Sequence, residues 1–430
     1  MKYYSTRSRS ITATLKEAVI QGMAPDNGLY MPEKFPVLTR RELSKIKNSD
    51  LAETGVIIAQ KLFGDDVPHE ELEKIVREAL YFDTPVKEVR ENIYSLELFH
   101  GPTLAFKDVG ARFMARLLQY FIRGESDIVH VLVATSGDTG SAVANGFLGM
   151  DGIKVHVLYP SGQVSPLQEK QFSTLGENIT ALEVAGTFDD CQALVKAAFA
   201  DERLKDKIYL TSANSINLAR FLPQSFYYFR GWSQVDSEQV VMAVPSGNYG
   251  NLTAGLIARE MGLPVHTFLA ASNANDVVPE YLRTGNYIPR ASVSTIANAM
   301  DVGAPSNFER ILDVFNADHS RLSTHMKGFS YSDDQIRKVI KEVYKSTGYI
   351  LDPHGATGYE ASREFLKENP GYTAIFFETA HPAKFGEVVN AEIGKEVEIP
   401  ERLQAFSERK KVSIEMSKEY KDFQGYLLRV

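Results

Sequence analysis

Cysteine is almost missing from this chain: Cys191 is the single thiol in 430 residues. One cysteine can neither close an intramolecular disulfide nor build a multi-cysteine metal site, which points to a reducing compartment. The nine histidines show no ligand spacing of the His-Glu-x-x-His kind, and no metal is expected. Long apolar runs are missing as well. The longest, such as Val129 to Ala134 and Val240 to Val244, are too short to cross a bilayer and suit buried strands instead. Positive charge is in deficit, with 47 Lys and Arg against 55 Asp and Glu, and the net charge of -8 argues against a general nucleic-acid binder. An anionic small-molecule substrate is still compatible, because a local cluster of cations can oppose the global sign.

What is present describes an ordinary globular chain. Hydrophobic residues make up 44% and charged residues 24%, enough apolar material for about two or three domains with their own cores. Near the N-terminus Arg7 and Arg9 stand among Ser5, Ser8 and Ser10 with no acid before Glu17, a composition shared with organelle transit peptides. The segment runs without a break into a helical pattern from Leu15 to Met23 and the turn Asp26-Asn27-Gly28. A cytoplasmic protein whose fold begins at once is the simpler expectation.

Short β-branched runs alternate with helical segments along most of the chain. Residues 40–82 read as helices rich in Leu, Ile, Glu and Lys, and Asn92 to Leu98 reads as extended. Strand candidates follow at Ile128 to Val133, Val155 to Tyr159, Ile179 to Val184, Val240 to Val244, Val265 to Ala270 and Thr373 to Phe377. Helices between such strands imply α/β parallel sheets covered on both faces, with ligands at the carboxyl ends of the strands. Element order suggests a mainly helical N-terminal domain over 1–90 and two α/β domains over 91–230 and 231–430.

Three local sequences carry chemistry. Lys107 ends the run His100-Gly101-Pro102-Thr103-Leu104-Ala105-Phe106-Lys107 and opens an amphipathic helix pattern with Phe113, Leu117 and Phe121 on one face. By itself it reads as one more solvated helix lysine. A reactive amine requires apolar surroundings such as Leu104 and Phe106, or a cofactor that takes it as an imine. The turn Ala134-Thr135-Ser136-Gly137-Asp138-Thr139-Gly140-Ser141 leads from a strand to a helix expected from Ser141. Its four hydroxyls and two glycines suit an anion at a helix N-terminus. The plainer alternative is N-capping by Ser or Asp. The turn Pro245-Ser246-Gly247-Asn248-Tyr249-Gly250-Asn251 precedes a helix expected near Leu252, and its glycines allow close approach and a nest of N–H groups for a phosphate. It has neither the Walker A ending nor the Gly-x-Gly-x-x-Gly fingerprint.

An amine, a hydroxyl-rich turn for a carboxylate and a neutral glycine cradle for a phosphate together match the needs of pyridoxal phosphate. Here the chain resembles the threonine synthase family, within the tryptophan-synthase-β-like (fold type II) class. Besides the three motifs, the resemblance rests on Tyr4-Ser5-Thr6-Arg7, Asp26 to Glu33, Val164 to Gln171, Asn214 to Arg220, Asn273 to Pro279, Asp352-Pro353-His354 and Glu378 to Phe385. It covers nearly the whole chain.

The resemblance implies that Lys107 holds the cofactor, that Phe106 packs near its pyridine ring, and that Gly247, Asn248, Tyr249, Gly250 and Asn251 bind its phosphate. Asp138 would meet the 3'-oxygen, where related enzymes often carry Asn. Thr379 would meet the pyridine nitrogen with a neutral hydroxyl, which leaves more of the proton shuttling to Lys107. Ser136 and Thr139 would contact the substrate carboxylate. Arg220 is the candidate for the substrate phosphate, because guanidinium recognition is bidentate and permanently charged; a surface or interdomain salt bridge is the equal alternative. His354 and His381 read equally well as structural histidines.

The implied reaction turns O-phospho-L-homoserine and water into L-threonine and phosphate, in a monomer or homodimer. Two alternatives stay open: a related phospholyase that releases an α-keto acid and ammonia, and a binding protein without turnover. Four positions depart from the family pattern: Tyr249 for a more usual Phe, Val109 for an aromatic, Gly355 for Thr, and Ala304 for Asn. None removes a group the mechanism requires, although Gly355 is expected to loosen a wall of the site.

Overall fold

The computed structural model describes residues 1–205 and 207–430. Two compact units emerge, each assembled from separated stretches of chain. The first contains Met1–Met31, Lys107–Arg220 and Ile399–Val430, and the second contains Pro32–Phe106 and Phe221–Glu398.

The first unit is built on a five-stranded sheet, ordered Ile414–Met416, Ile179–Val184, Ile153–Pro160, Val129–Ala134, Tyr209–Ser212. Every pair in it is parallel. The apolar run Val129–Ala134 is buried at every position, as expected of a parallel strand covered on both faces. Leu132, Leu158, Leu182, Phe423 and Leu427 share one core cluster, where full burial stabilises each side chain by roughly 1.5–3 kcal/mol over exposure. The tail returns to this unit: Ile414–Met416 adds an edge strand, and the helix Tyr420–Leu427 packs on the helix Phe188–Ala200. Near the N-terminus Tyr3–Ser5 pairs antiparallel with Thr12–Ala13, and Ser5 donates its hydroxyl to Asp26 at 2.7 Å. Of the residues with a transit-peptide composition, Ser5 lies in this sheet, and Arg7, Ser8, Arg9 and Ser10 lie in the connection between its two strands.

The second unit contains a six-stranded sheet, ordered Met326–Ser330, Thr267–Ser272, Val240–Pro245, Thr373–Glu378, Ile93–Glu97, Val86–Arg90. The first five strands are parallel. Val86–Arg90 closes the edge antiparallel, with a register irregularity between Glu88 and Arg90. The helical N-terminal region predicted over 40–82 appears as Arg40–Ile46, Leu51–Phe63 and His69–Ala79. Thr39 starts the first of these through a capping box with Glu42, and Asp50 caps the second by accepting the amide of Glu53, which satisfies first-turn amides that a helix cannot pair internally.

The chain-order blocks 1–90, 91–230 and 231–430 do not coincide with these units, and strand pairing is the reason. Ile93–Glu97 pairs with Thr373–Glu378, which takes the approach to the lysine motif into the second unit; Ile414–Met416 takes the tail back into the first. One of the unit boundaries falls on the Phe106–Lys107 peptide bond. Among the described residues, no helix is long and apolar enough to cross a membrane.

Candidate active site

In the second unit, three neighbouring parallel strands deliver three of the motifs. Val240–Pro245, Thr373–Glu378 and Ile93–Glu97 lie side by side, with Ala243 opposite Phe376 and Glu378 opposite Glu97. Their carboxyl ends therefore open onto one edge of the sheet. From the first end runs the Gly247 turn, from the second Thr379, and from the third the segment leading to Phe106. That segment folds back along the second: the amide of Phe106 donates to the carbonyl of Thr379 at 2.9 Å, and the amide of His381 to that of Leu104 at 3.1 Å. Leu104, only 2% exposed, adopts a φ of 56°, a left-handed conformation that costs a non-glycine residue about 1–2 kcal/mol. The antiparallel bonds and the burial of its side chain hold it there.

The Gly247 turn is tightly held. Tyr249 is the residue before the helix Gly250–Glu260 and is left-handed, with φ 62°. Its ring is buried and its hydroxyl meets Ser272 at 2.9 Å. Asn251 accepts the amide of Leu252 at 2.9 Å and donates to the carbonyl of Pro245 at 2.8 Å. Asn248 turns its side-chain oxygen to the amide of Ser306 at 2.6 Å. A Cβ at Gly247 would lie 2.6 Å from the Cα of Met300 and 3.0 Å from the carbonyl of Ala299, so only glycine fits. The helix begins at Gly250, two residues ahead of the start predicted near Leu252.

In the first unit, the helix after the hydroxyl-rich turn is Asp138–Phe147 and starts earlier than the predicted Ser141. Gly137 precedes it with φ 145°, a conformation that needs glycine. The scaffold of this turn is Thr135, whose hydroxyl accepts the amides of Gly137 at 2.9 Å and Gly140 at 2.8 Å. That leaves the hydroxyls of half-buried Ser136 and Thr139 without a hydrogen-bond partner among the described residues. Asp138 is buried and accepts from the side-chain amide of Gln168 at 2.9 Å.

Lys107 is the first residue of the helix Lys107–Ile122 and is half-buried. Arg220, 4% exposed, donates from Nη1 to the carbonyl of Lys107 at 3.0 Å and from Nε to the carbonyl of Ala213 at 2.8 Å. Its guanidinium thus braces the start of the lysine helix. At that burial it is not a surface residue.

The model of the pyridoxal-phosphate dependent enzymes matches residues 78–376. Two further models, of the threonine synthase N terminus and C-terminal segment, match residues 2–80 and 355–426. The threonine synthase of Haemophilus influenzae is 44% identical over 432 residues, covering 100% of both chains. The crystal structure of threonine synthase from Escherichia coli superposes with a TM-score of 0.94 at 41% identity over 100% of each chain. The structure of threonine synthase from Brucella melitensis, solved with PLP bound, gives a TM-score of 0.92 at 33% identity over 100% of this chain and 99% of that one. The chain belongs to the threonine synthase family.

As a threonine synthase the enzyme must accommodate pyridoxal phosphate, and its residues fit that group. Gly247 keeps backbone atoms where a side chain would intrude. The helix that follows opens with the amides of Gly250 and Asn251, which have no acceptor among the described residues, and such amides at a helix N-terminus suit a phosphate. The hydroxyl of buried Thr379 likewise has no partner among the described residues.

The two histidines left open by sequence have structural bonds. His381 accepts the amide of Ala383 at 3.2 Å, and burial, with Lys384 nearby, lowers its pKa to about 4. His354 lies 2.6 Å from Asp352 and accepts the amide of Ala299 at 3.2 Å. Gly355 does not loosen a wall: the carboxyl of Glu378 fills the space, with Oε1 2.1 Å from where a Cβ would be. Sequence reasoning missed Thr135, Gln168 and Glu378 as shapers of the site. Gln168 lies within Val164 to Gln171, but nothing local shows that it reaches Asp138.

Proposed function

We propose that this chain converts O-phospho-L-homoserine and water into L-threonine and phosphate. The observation that carries this reading is the arrival of the Gly247 turn, Thr379 and the Phe106 segment at adjacent strand ends, with Lys107 bonded next to Phe106 in the chain. Membership of the threonine synthases supports the activity, and the assignment of individual residues is our own.

In this reading the amides of the Gly247–Asn251 turn hold the cofactor phosphate. Thr379 would meet the pyridine nitrogen with a hydroxyl, Asp138 would meet the 3'-oxygen, and Phe106 would pack on the ring. When bound, pyridoxal phosphate supplies an electron sink for the pair left on the substrate Cα. Lys107 anchors the cofactor, then moves protons: it removes one from Cα, assists removal at Cβ, returns one at Cγ after phosphate leaves, and returns the last to Cα once the Cβ hydroxyl is in place. Water then supplies the hydroxyl at Cβ. Ser136 and Thr139 orient the substrate carboxylate. Arg220 fixes the helix end that carries Lys107, and its charge serves the substrate phosphate.

Incubation of the purified protein with O-phospho-L-homoserine tests this directly. The expected products are phosphate and threonine in equal amounts. Keto acid and ammonia in place of threonine would overturn the reaction. The Lys107→Ala variant should release neither product, and borohydride reduction should add a cofactor-sized mass to the peptide containing Lys107 in the wild type alone.

A further inference from the structure

Behind Thr379 lies a buried group that the reading above leaves without a task. Asp352, His354 and Glu378 are 0%, 2% and 0% exposed. Asp352 caps the helix Pro353–Glu368, accepting the amides of His354 at 2.7 Å and Gly355 at 3.3 Å, and it also holds Nδ1 of the His354 ring at 2.6 Å. Nε2 of the same ring accepts the amide of Ala299 at 3.2 Å. A backbone amide can only donate, so Nε2 carries no proton and the ring hydrogen lies on Nδ1, directed at Asp352.

Glu378 lies against this cap. Its Oε2 accepts the amide of Asp352 at 3.4 Å, while its buried Oε1 has no partner among the described residues. Burial, and then the Asp352 carboxylate beside it, push Glu378 well above the usual carboxylate range. Burial also acts on Asp352 in the same sense, but His354 and the surrounding donors outweigh it and hold Asp352 below its ordinary value. The far end of the chain of contacts is the Gly247 turn. Ala299 and Met300 press on Gly247 so closely that a Cβ there would meet the Met300 Cα at 2.6 Å. A group that fixes Ala299 therefore fixes one wall of the turn.

We propose that Glu378, Asp352 and His354 are positioning residues for the cofactor phosphate: Glu378 seats Asp352, Asp352 orients His354, and His354 holds Ala299 so that Ala299 and Met300 keep Gly247 in its phosphate-binding shape. The relay joins the strand end that carries Thr379 to the phosphate turn. It rests on the reading of that turn as the phosphate cradle.

The test titrates the full-length protein, freed of cofactor, with pyridoxal phosphate and with pyridoxal, following absorbance. In His354→Gln the side-chain oxygen can replace Nε2 as acceptor for Ala299, whereas in His354→Asn it falls short. The Asn variant should bind pyridoxal phosphate about tenfold more weakly, the scale of one lost hydrogen bond, with pyridoxal unaffected and the Gln variant close to wild type. Glu378→Gln should likewise stay close to wild type, and Glu378→Leu should follow His354→Asn. If the Asn and Gln variants bind alike, or if pyridoxal and pyridoxal phosphate weaken together, the relay is wrong. Should His354→Asn fail to fold, the Glu378 pair makes the same comparison. Gly247→Ala separates the two levels: an unchanged preference for the phosphate ester would overturn the cradle reading itself. A preference lost in Gly247→Ala but kept in His354→Asn and Glu378→Leu would overturn the relay alone.

Discussion

The amide of Phe106 donates to the carbonyl of Thr379 at 2.9 Å. This bond joins two motifs that lie far apart in the chain, and it places the residue before Lys107 beside the residue assigned to the pyridine nitrogen. Only the backbone of Thr379 is engaged, so its side chain can be changed without breaking the bond.

Thr379→Val keeps the shape of the side chain and removes the hydroxyl. It should weaken pyridoxal phosphate binding about tenfold, the effect of one hydrogen bond, while Thr379→Ser stays near wild type. Absorbance titration of the two variants checks this, and a Val variant that binds as tightly as wild type would remove the hydroxyl from the site.

Gly355→Ala should destabilise the protein, because its Cβ would be placed 2.1 Å from Oε1 and 2.4 Å from Cδ of Glu378. Overpacking of this kind costs about 1–3 kcal/mol. Glu378→Gly in the same chain empties the contested space, so the double variant should melt at a higher temperature than Gly355→Ala alone. Additive melting temperatures would show that the two residues do not compete.

Ser136→Ala and Thr139→Val should each raise KM for O-phospho-L-homoserine, by about tenfold if one hydrogen bond to the carboxylate is lost, and leave cofactor affinity unchanged. Steady-state kinetics beside a cofactor titration separates the two effects. Unchanged KM in both variants would transfer carboxylate recognition to other groups.

Stability should fall in mild acid because of a buried histidine pair. His130 Nδ1 lies 3.0 Å from His156 Nε2, and His156 Nδ1 lies 2.8 Å from the hydroxyl of Tyr426. Burial, with Lys154 nearby, lowers His130 to about 4, and burial, with His130 nearby, lowers His156 to about 3, from an ordinary 6.5. Below pH 6.5 the unfolded chain takes up protons that the folded pair refuses. The stabilisation is therefore complete above pH 6.5 and is lost down to pH 4 and 3, by about 1.4 kcal/mol per pH unit for each histidine. Urea midpoints at pH 7 and 5 should differ more in wild type than in a His130→Asn/His156→Gln variant; equal differences would clear the pair of this role.

Local physics made much of the molecule readable from sequence. Apolar runs such as Val129–Ala134 and Val240–Pro245 are buried at every position, because a parallel strand covered on both faces must be apolar throughout. Gly137 and Gly247 stand where a positive φ or a close approach excludes a side chain, and such needs are legible one residue at a time. The edge strand Met326–Ser330 is not legible in the sequence, because Lys327 and Gly328 break its apolar pattern.

The tertiary structure decided which elements meet. No local pattern in Ile93–Glu97 specifies pairing with Thr373–Glu378, yet that pairing brings Phe106 to Thr379 and divides the chain at Phe106–Lys107. Arg220 reads from sequence equally as a phosphate-binding cation and as a salt-bridge partner, and the fold directs two of its donors to the carbonyls of Ala213 and Lys107. Gly355 reads from sequence as a loosened wall, and in the fold Glu378 fills that space. Periodicity and backbone preference act between near neighbours and are written in the sequence, whereas the partners of a buried polar group come from distant segments and exist only after the sheet has formed.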